Sequence, residues 1–494
     1  MSTSFFYPDI FNDVYGPIMQ PGSSSHTAGP CRIGYCAYSL LGEKPSRVQI
    51  VLDKNGSFAG TFGHMNEDLG MLAGAYGLLP DDERIFDIKE ILEQENIKYE
   101  FVFSEITESK HTNAVKFLLS ANTSDKPSCS VTLTGNSTGG GMMEIINVDG
   151  YPISYYGERC ISVFDLIKES STDIENIPEK YKDYVFSSVL PASFTNARKE
   201  QLFNSITDLI KYANENNKSL FEAVLDYETS FTGWTKNEVI NYFEKIKQAM
   251  HKQCTEYIKD DSKVFETPFS GYHCKEWISY SRSNPIYAGD VVKSALEYAF
   301  CAQTMSKGVL IVPGPMGNGG GYIYSVLRAA ADNYPELEDK LLEGIAIAGI
   351  FGAIAYTRTS PTGEVIGCTG ECGICASMAA AGLTYIRGGN PSQVESAASL
   401  TLQAMLGLPC DPIPGGFNQP CTSRVVSAVT LAVTFADLAL SGRSGVIPYH
   451  EVLDSADQIG KALPNGCKCT STGGICLTPS ALNCKKQFEE WHNK

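Results

Sequence analysis

The sequence predicts an α+β fold, with an N-terminal α/β sandwich domain followed by a large all-helical domain. Over residues 1–165, short apolar runs bounded by turn-forming residues alternate with helix-like segments, whereas in 201–494 apolar residues recur every three or four positions. Residues 166–200 are polar and contain Pro178 and Pro191, which favours a connector. A chain of 494 residues is long enough for two or three domains with a large core.

The first domain is expected to contain a sheet with two or three helices against it. Its strand-like runs cover residues 48–52, 98–103, 115–119 and 142–148, and its helix-like segments cover 66–77 and 86–95. Turn signals close two of these runs, DKNG at 53–56 and DG at 149–150. The alternation of strands and helices is what predicts the sandwich.

The second domain is expected to be helical nearly throughout. The periodic segments are 201–213, 220–227, 236–257, 291–305, 322–331, 345–356, 375–386, 391–406 and 423–440. Gly388 and Gly389 can close one helix in a left-handed cap, and Asn390 with Pro391 can open the next.

Composition and charge exclude several classes of function. The formal net charge of −17 argues against non-specific binding to nucleic acid and against docking on anionic membranes. The start of the chain lacks the features of a secretory leader, and the longest apolar stretch, 344–356, is shorter than the ~20 residues of a membrane span. A cytoplasmic location is therefore expected, where 16 cysteines serve in metal binding, catalysis or the core rather than in disulfides.

Three cysteines of the second domain stand in short, turn-forming contexts. Cys368 lies in GCTG, Cys410 in CDP and Cys421 in PCT, and such contexts favour sulfurs that are open to a ligand. Three thiolates can hold three corners of a cubane iron–sulfur cluster, whose usual full set is four. The remaining iron would have an open position and could act as a Lewis acid on a substrate oxygen.

Two other groupings of cysteines compete with this set. Cys368, Cys372 and Cys375 have the C-x3-C-x2-C spacing found in radical iron–sulfur enzymes. Near the C-terminus, four further cysteines could form a zinc site or a mobile tail that brings a sulfur to the active site: Cys467, Cys469, Cys476 and Cys484.

Loops rich in donors could bind a carboxylate in either domain. PGSSSHTAGP at 21–30 joins hydroxyls to a histidine, although a capped helix start would explain the same residues. NSTGGG at 136–141 could form an anion-binding turn, and the glycine-rich loop 313–321 precedes a helix whose free N–H groups could receive a carboxylate. His64 in GHMNED and His111 in HTN are candidate general bases, although either could be an ordinary loop histidine.

Taken together, these motifs resemble the oxygen-sensitive iron–sulfur L-serine dehydratases (L-serine ammonia-lyases), over nearly the whole chain and in the family's domain order. The matching segments are 21–30, 63–68, 111–113, 137–141, 367–383, 406–412, 420–424 and TSTGG at 470–474. The chain departs from the family pattern in the loop 314–321, where the family has APTNGAAG, in QAM at 403–405, where it usually has EHN or EHH, and at Gln419, which replaces a valine. Substrate choice is thus less constrained than the fold or the cluster.

The resemblance implies that Cys368, Cys410 and Cys421 bind a [4Fe–4S] cluster in a helical domain, and that the chain forms a homodimer. It implies that the open iron takes the hydroxyl of L-serine while His64, assisted by His111, removes the α-proton, giving pyruvate and ammonia without pyridoxal phosphate. Residues that would position the substrate are Ser23, Ser25, His26, Thr27, Ser137, Gly139, Asn318 and Arg424.

Three alternatives stay open on the sequence alone. The same scaffold could act on L-cysteine as a desulfidase, and the segment 317–319 is similar to that of the desulfidase relatives. It could instead act on L-threonine or another hydroxy acid, or it could be a non-catalytic sensor. The sequence also leaves open whether Cys484 caps the open iron and whether the first domain has an allosteric site.

Overall fold

The computed structural model describes residues 7–63, 66–121, 129–170, 177–190, 201–259, 273–303, 308–413 and 420–492. It divides into two compact units. The α/β unit is Met19–Ala197, and the helical unit combines Met1–Ile18 with Arg198–Lys494. The α+β layout predicted from the sequence is confirmed.

The α/β unit is built on a mixed six-stranded sheet with the strand order β2-β1-β3-β4-β5-β6. Its strands are β1 Arg47–Asp53, β2 Lys98–Ser104, β3 Ala114–Ala121, β4 Cys129–Gly139, β5 Met142–Val148 and β6 Tyr151–Tyr155, and a small pair is formed by β7 Ile161–Ser162 and β8 Val185–Phe186. β1 and β2 are parallel, and the other neighbours in the large sheet are antiparallel. The four predicted strands are present, whereas β4 and β6 were not predicted.

Helices pack on this sheet and connect its strands. They are α1 Gly29–Leu41, α2 Ser57–Thr61, α3 Glu67–Tyr76, α4 Ile88–Gln94 and α5 Val163–Ser170. α1 lies across β3, β4 and β5 and also packs on α3. Helix α5 ends inside the stretch predicted to be a connector, 166–200, and that stretch also contains the short 3-10 helix Glu179–Lys182 and strand β8.

The contact between α1 and α3 depends on glycine. A Cβ atom on Gly74 would lie 1.9 Å from the carbonyl oxygen of Cys31, and one on Gly34 would lie 2.8 Å from the amide nitrogen of Ala75. These close approaches involve backbone atoms, which cannot rotate away as a side chain can. The two helix axes can therefore approach this closely only because both positions lack a side chain.

Replacing Gly74 by alanine is expected to destabilise the α/β unit although it raises helix propensity. Alanine favours a helix by about 1 kcal/mol over glycine, but the new methyl group forces α1 and α3 apart, and overpacking costs about 1–3 kcal/mol or more. We expect a net loss of about 2 kcal/mol, measured as an earlier urea transition by circular dichroism. An unchanged or later transition would show that the two helices can separate without loss.

The helical unit contains thirteen α-helices within the part of the chain that the structure describes. They are α6 Ile206–Glu215, α7 Leu220–Thr232, α8 Lys236–Lys259, α9 His273–Ser283, α10 Gly289–Gln303, α11 Gly319–Asn333, α12 Leu341–Arg358, α13 Gly363–Ile366, α14 Ile374–Ile386, α15 Pro391–Gln403, α16 Cys421–Leu440, α17 Tyr449–Ala462 and α18 Pro479–His492. α12 and α14 pack together at its centre, and α14 also contacts α11, α15 and α16. All nine helices predicted for this domain are present.

Residues 7–18 group with the helical unit, whereas the sequence analysis placed them in a first domain of 1–165. A π-helical turn, Ile10–Val14, packs against α12, where Cβ atoms on Gly349 and Gly352 would lie 2.5 Å from Ile10 and 2.6 Å from Val14. The Ile10 N–H donates to the buried carboxylate of Glu228 on α7, at 2.7 Å. The glycines of α12 form the groove that receives this segment, a pairing that no local pattern predicts.

Two described helical segments are long and apolar enough to cross a membrane by length and composition, Pro335–Arg358 and Cys421–Leu440. Core helices pass the same test, and 72% of the apolar window of the first is buried inside the protein. The stretch 344–356, predicted to be a buried helix, lies inside α12 and is almost wholly buried.

Candidate metal centre

Two thiols and a carboxyl group converge at the start of α14. The Sγ atoms of Cys368 and Cys410 and an oxygen of Glu371 all lie within 4.8 Å of one another. Glu371 Oε2 is 3.6 Å from Cys368 Sγ and 3.8 Å from Cys410 Sγ. Cys368 and Cys410 are buried, 2% and 6% exposed, so these sulfurs are less open than their turn-like contexts predicted.

Local backbone geometry brings these groups together. Gly367 has a φ of 69°, in the left-handed region that glycine adopts without strain, and the chain then enters the π-helical turn Thr369–Gly373 directly before α14. A Cβ on Gly363 would lie 2.7 Å from the Cys410 sulfur. Small residues thus let Cys410 approach a turn that is 40 residues away in the sequence.

Cys368 is the sulfur of the group whose charged form is most favoured. Hydrogen bonds from the thiols of Cys372 and Cys410, together with the neighbouring Arg424 guanidinium, hold the pKa of Cys368 well below its usual value. The same hydrogen bonds raise the pKa of Cys372 and of Cys410. Surroundings that favour the thiolate form of Cys368 suit a ligand for a soft metal ion, because metals bind that form.

Glu371 is the member of this group that the sequence analysis missed. Burial first, and the Cys368 thiolate second, raise the pKa of Glu371 well above its usual value. A carboxyl group that holds its proton here would release it to a bound cation. The available signal was a single acidic residue in a stretch of small and apolar residues before α14.

Arg424 connects the thiolate to a second carboxylate. Its guanidinium donates to Cys368 Sγ at 3.3 Å and to Asp411 Oδ1 at 2.5 Å. Asp411 is 3% exposed and also accepts the Ile475 N–H at 2.8 Å. The Arg424 side chain, predicted to bind substrate or support the cluster loop, is thus engaged in supporting that loop.

Replacing Arg424 by methionine is expected to raise the pKa of Cys368. The guanidinium favours the charged thiolate, so its loss moves the titration of this thiol to higher pH. The measurement is the ultraviolet absorbance of thiolates during an anaerobic pH titration of metal-free protein, with the Cys368→Ser signal subtracted. Arg387→Met is the matched control, because Arg387 is exposed and stacks on Tyr334. Equal shifts in both variants would contradict this role of Arg424.

Cys421 lies near this group but outside its compact core. It is half-buried and is the first residue of α16. Burial raises the pKa of Cys421, and the charge of Cys368 adds to the effect, so the two sulfurs interact electrostatically. The structure therefore brings all three predicted cysteines to one region, with Cys368 and Cys410 in direct reach of each other.

The glycine-rich loop 313–321 lies against the next two cysteines. Cys372 Sγ is 3.7 Å from Met316 Sδ, and Cβ atoms on Gly314 and Gly319 would lie 3.3 Å and 2.7 Å from the Cys375 sulfur. Within the described residues, the buried Oδ1 of Asn318 has no hydrogen-bond partner. The predicted role of Asn318 in binding substrate stays a prediction.

The C-terminal tail is docked beside Cys410. The Cys410 N–H donates to the Cys467 carbonyl, and the Cys469 N–H donates to the Cys410 carbonyl, each at 2.8 Å. The thiols of Cys410 and Cys469 also hydrogen-bond to one another. Cys484, a candidate cap of the open iron, lies on α18. The tail cysteine that contacts Cys410 is Cys469.

In the α/β unit, the predicted loop 21–30 forms a capped helix start. Ser23 Oγ accepts the His26 N–H at 3.2 Å, and the turn Ser24–Ala28 leads directly into α1. The His26 ring is 1% exposed, with Nδ1 3.0 Å from Ser25 Oγ and Nε2 2.9 Å from Ser57 Oγ. Because both ring nitrogens contact hydroxyls, His26 is suited to orienting serines. The hydroxyl of Thr27 accepts the Ser23 N–H.

Two further loops of this unit contact the same region of the sheet. Ser137 Oγ donates to the Ser25 carbonyl at 2.6 Å, and the Ser137 N–H donates to the Asn113 carbonyl at 3.0 Å. His111 Nδ1 accepts the Asn113 N–H at 3.1 Å. Asn136–Gly139, predicted to be a turn, is the end of β4, and Gly139 has a φ of 105° where the chain turns toward β5. His64 lies outside the described residues.

The sulfurs of Cys368 and Cys410 and the carboxyl group of Glu371 form a set of donors that could hold a metal ion in the helical unit. The family model described as "Serine dehydratase alpha chain" matches residues 215–476, more than half of the chain. The chain therefore belongs to the serine dehydratase family, which confirms the resemblance, and it is an enzyme of the lyase type.

Relatives of both separate-chain and single-chain form are similar to this protein. The L-serine dehydratase of Haemophilus influenzae is 25% identical over 492 residues, covering 95% of this chain and 98% of that protein. In Peptoniphilus asaccharolyticus, the L-serine dehydratase alpha chain is 28% identical over 58% of this chain and 98% of its own length. The beta chain from the same organism is 32% identical over 44% of this chain and 92% of its own length.

Proposed function

We propose that this protein is an iron–sulfur-dependent L-serine dehydratase, which converts L-serine to pyruvate and ammonia. The observation that carries the proposal is the buried group of Cys368, Glu371 and Cys410 in a chain that aligns over nearly its full length with an L-serine dehydratase. The departures in the loop 314–321 leave L-threonine and L-cysteine as the substrates to be tested beside L-serine.

The residues at the centre fit an iron–sulfur cluster. The surroundings of Cys368 lower its pKa, and Cys410 and Cys421 are further sulfurs that interact with it electrostatically or through a hydrogen bond. We propose these three as the protein ligands of a [4Fe–4S] cluster. When bound, such a cluster with one open iron supplies a Lewis acid that makes hydroxide a better leaving group.

A histidine is the proposed base that removes the α-proton of serine. The α-proton of serine needs a base with a pKa near neutrality, which an imidazole provides. His64 is the first candidate, and His111 is the second. The Nδ1 atom of His111 accepts the Asn113 N–H at 3.1 Å, which fixes the position of the ring beside Asn113.

Substrate binding is assigned to polar loops in both units. In the α/β unit, Ser23, Ser25 and Thr27 carry hydroxyls at the start of a helix, where N–H groups and the helix dipole favour a carboxylate. In the helical unit, the Oδ1 atom of Asn318 is an acceptor for an ammonium or hydroxyl group. His26 and Ser137 both contact Ser25 and so orient the first of these loops, and Gly139 at the end of β4 is assigned to substrate binding with them.

An anaerobic screen of small amino acids tests the proposed activity. Purified protein reconstituted with iron and sulfide is incubated with L-serine, L-threonine or L-cysteine, and release of keto acid, ammonia and sulfide is measured. We expect keto acid and ammonia from L-serine, with loss of brown colour and of activity after exposure to air. Sulfide from L-cysteine alone would redirect the proposal to desulfidation, and a colourless, air-stable active protein would refute the cluster.

The homodimer implied by the resemblance is part of the proposal. Sedimentation equilibrium of the reconstituted protein is expected to give twice the chain mass of 53.7 kDa. A single-chain mass at micromolar concentration would contradict it.

A further inference from the structure

Four cysteine thiols of the helical unit contact one another in a row. Cys372 and Cys410 both hydrogen-bond to Cys368, and Cys410 also hydrogen-bonds to Cys469. We call these four residues the thiol row. Cys469 is the outermost member on the tail side, and the proposed mechanism gives it no role.

The backbones of Cys410 and Cys469 are joined by a hydrogen bond. An isolated parallel bridge pairs Cys410 with Lys468, and the next residue, Cys469, donates its backbone N–H to the Cys410 carbonyl at 2.8 Å. This hydrogen bond holds the two cysteines near one another, as a disulfide requires, since its Cα atoms are roughly 4.4–6.8 Å apart. Cys469 has a φ of 59°, an uncommon conformation for a residue with a side chain, at the place where the chain turns its thiol to Cys410.

We propose that Cys410 and Cys469 are the site of a reversible disulfide in the metal-free protein, formed when a peroxide oxidises it. The bond would remove Cys410 from the ligand set, so the protein could not take up a cluster until a thiol reductant had restored both residues. This consequence rests on the proposed role of Cys410 as a ligand, whereas the disulfide itself does not.

The oxidation balances with a peroxide as the only co-reactant. Hydrogen peroxide first converts one thiol of the pair to a sulfenic acid and releases one water. The second thiol then attacks that sulfur, the S–S bond forms, and a second water leaves. The two sulfurs lose two electrons in total, the peroxide gains them, and the two thiol protons end in the two waters.

The other neighbouring pairs of the thiol row have different surroundings, and Cys368 is the competing site of oxidation that the experiment must distinguish. Cys368 Sγ accepts a hydrogen bond from Arg424 at 3.3 Å and lies beside Glu371. Cys372 is four residues further along the same π-helical turn and its sulfur contacts Met316 Sδ. Cys410 and Cys469 instead lie on two segments that already run side by side.

Trypsin digestion places Cys368, Cys410 and Cys469 on three different peptides, so that a disulfide between any two of them can be identified. The sequence places Cys368, Cys372 and Cys375 in peptide 359–387, Cys410 and Cys421 in 388–424, and Cys469, Cys476 and Cys484 in 469–485. Full-length protein, stripped of metal by a chelator and reduced, is treated anaerobically with an equimolar amount of hydrogen peroxide. Free thiols are then alkylated, and cross-linked peptides are sequenced by tandem mass spectrometry.

We expect a cross-link between 388–424 and 469–485, assigned by fragmentation to Cys410 and Cys469, and its reversal by dithiothreitol. Cys476→Ser should keep the cross-link and Cys469→Ser should lose it. After peroxide, only Cys469→Ser should regain the visible cluster absorbance on reconstitution without a thiol reductant. A cross-link of Cys410 to peptide 359–387, or none in the wild-type protein, would overturn the proposal, and neither result depends on lyase activity.

Discussion

Replacing Cys368 by alanine is expected to remove nearly all iron from the reconstituted protein. Cys368 has the lowered pKa of the group, and its sulfur is the one that Cys372, Cys410, Glu371 and Arg424 all contact. Its loss deletes a ligand and also leaves Arg424 without its sulfur partner. Iron and acid-labile sulfide per chain, determined under anaerobic conditions, measure the effect.

Three further alanine variants distinguish the two possible cysteine sets. If Cys368, Cys410 and Cys421 are the ligands, Cys410→Ala should also lose iron, whereas Cys375→Ala should retain it. Cys375 is a fitting control because it is equally buried, and because its sulfur packs against Gly314 and Gly319. Retention of iron in Cys410→Ala together with its loss in Cys372→Ala and Cys375→Ala would assign the cluster to the C-x3-C-x2-C set.

Replacing His64 by alanine is expected to reduce turnover by about 10²–10⁴-fold, the usual contribution of a general base. Iron content and the visible spectrum should be unchanged, since no sulfur ligand is altered. The measurement is keto-acid production from L-serine by anaerobic protein of known iron content.

His111→Ala and His26→Ala provide the comparison. His26 contacts hydroxyls through both ring nitrogens, so its loss should disturb serine positioning and raise KM more than it lowers kcat. If turnover survives in His64→Ala but falls by orders of magnitude in His111→Ala, His111 is the base. Near-normal kcat in His64→Ala and also in His111→Ala would refute a histidine base at either of these two positions.

The elements with strong local signals were predictable from the sequence. The amphipathic helices, β1–β3 and β5 all have apolar residues at the period of their structure. β4 was missed because its C-terminal half, residues 133–137, is buried on both faces and consists of leucine, threonine, glycine, asparagine and serine, so that neither alternation nor an apolar run marks it. α17 and α18 carry long polar faces that hide their apolar stripes.

The site residues that could be predicted from the sequence are those with a reactive side chain inside a short sequence motif. Cys368 and Cys410 were identified in this way. Glu371 and Asp411 were not, because their roles arise from neighbours brought close by folding: Glu371 lies between two sulfurs, and Asp411 joins Arg424 to the tail. The pairing of Cys469 with Cys410 spans 59 positions in the chain and has no local signature.

The attachment of the N-terminal segment to α12 has a consequence for synthesis on the ribosome. Ile10, Phe11, Val14 and Tyr15 are fully buried, and each such side chain contributes roughly 1.5–3 kcal/mol when it leaves water. The groove on α12 that receives Ile10, Val14 and Tyr15 is translated more than 300 residues later, and at about 5–20 residues per second this is a delay on the order of tens of seconds. During that interval the nascent chain carries an apolar strip with no partner of its own, a binding site for chaperones at the moment the α/β unit is completed.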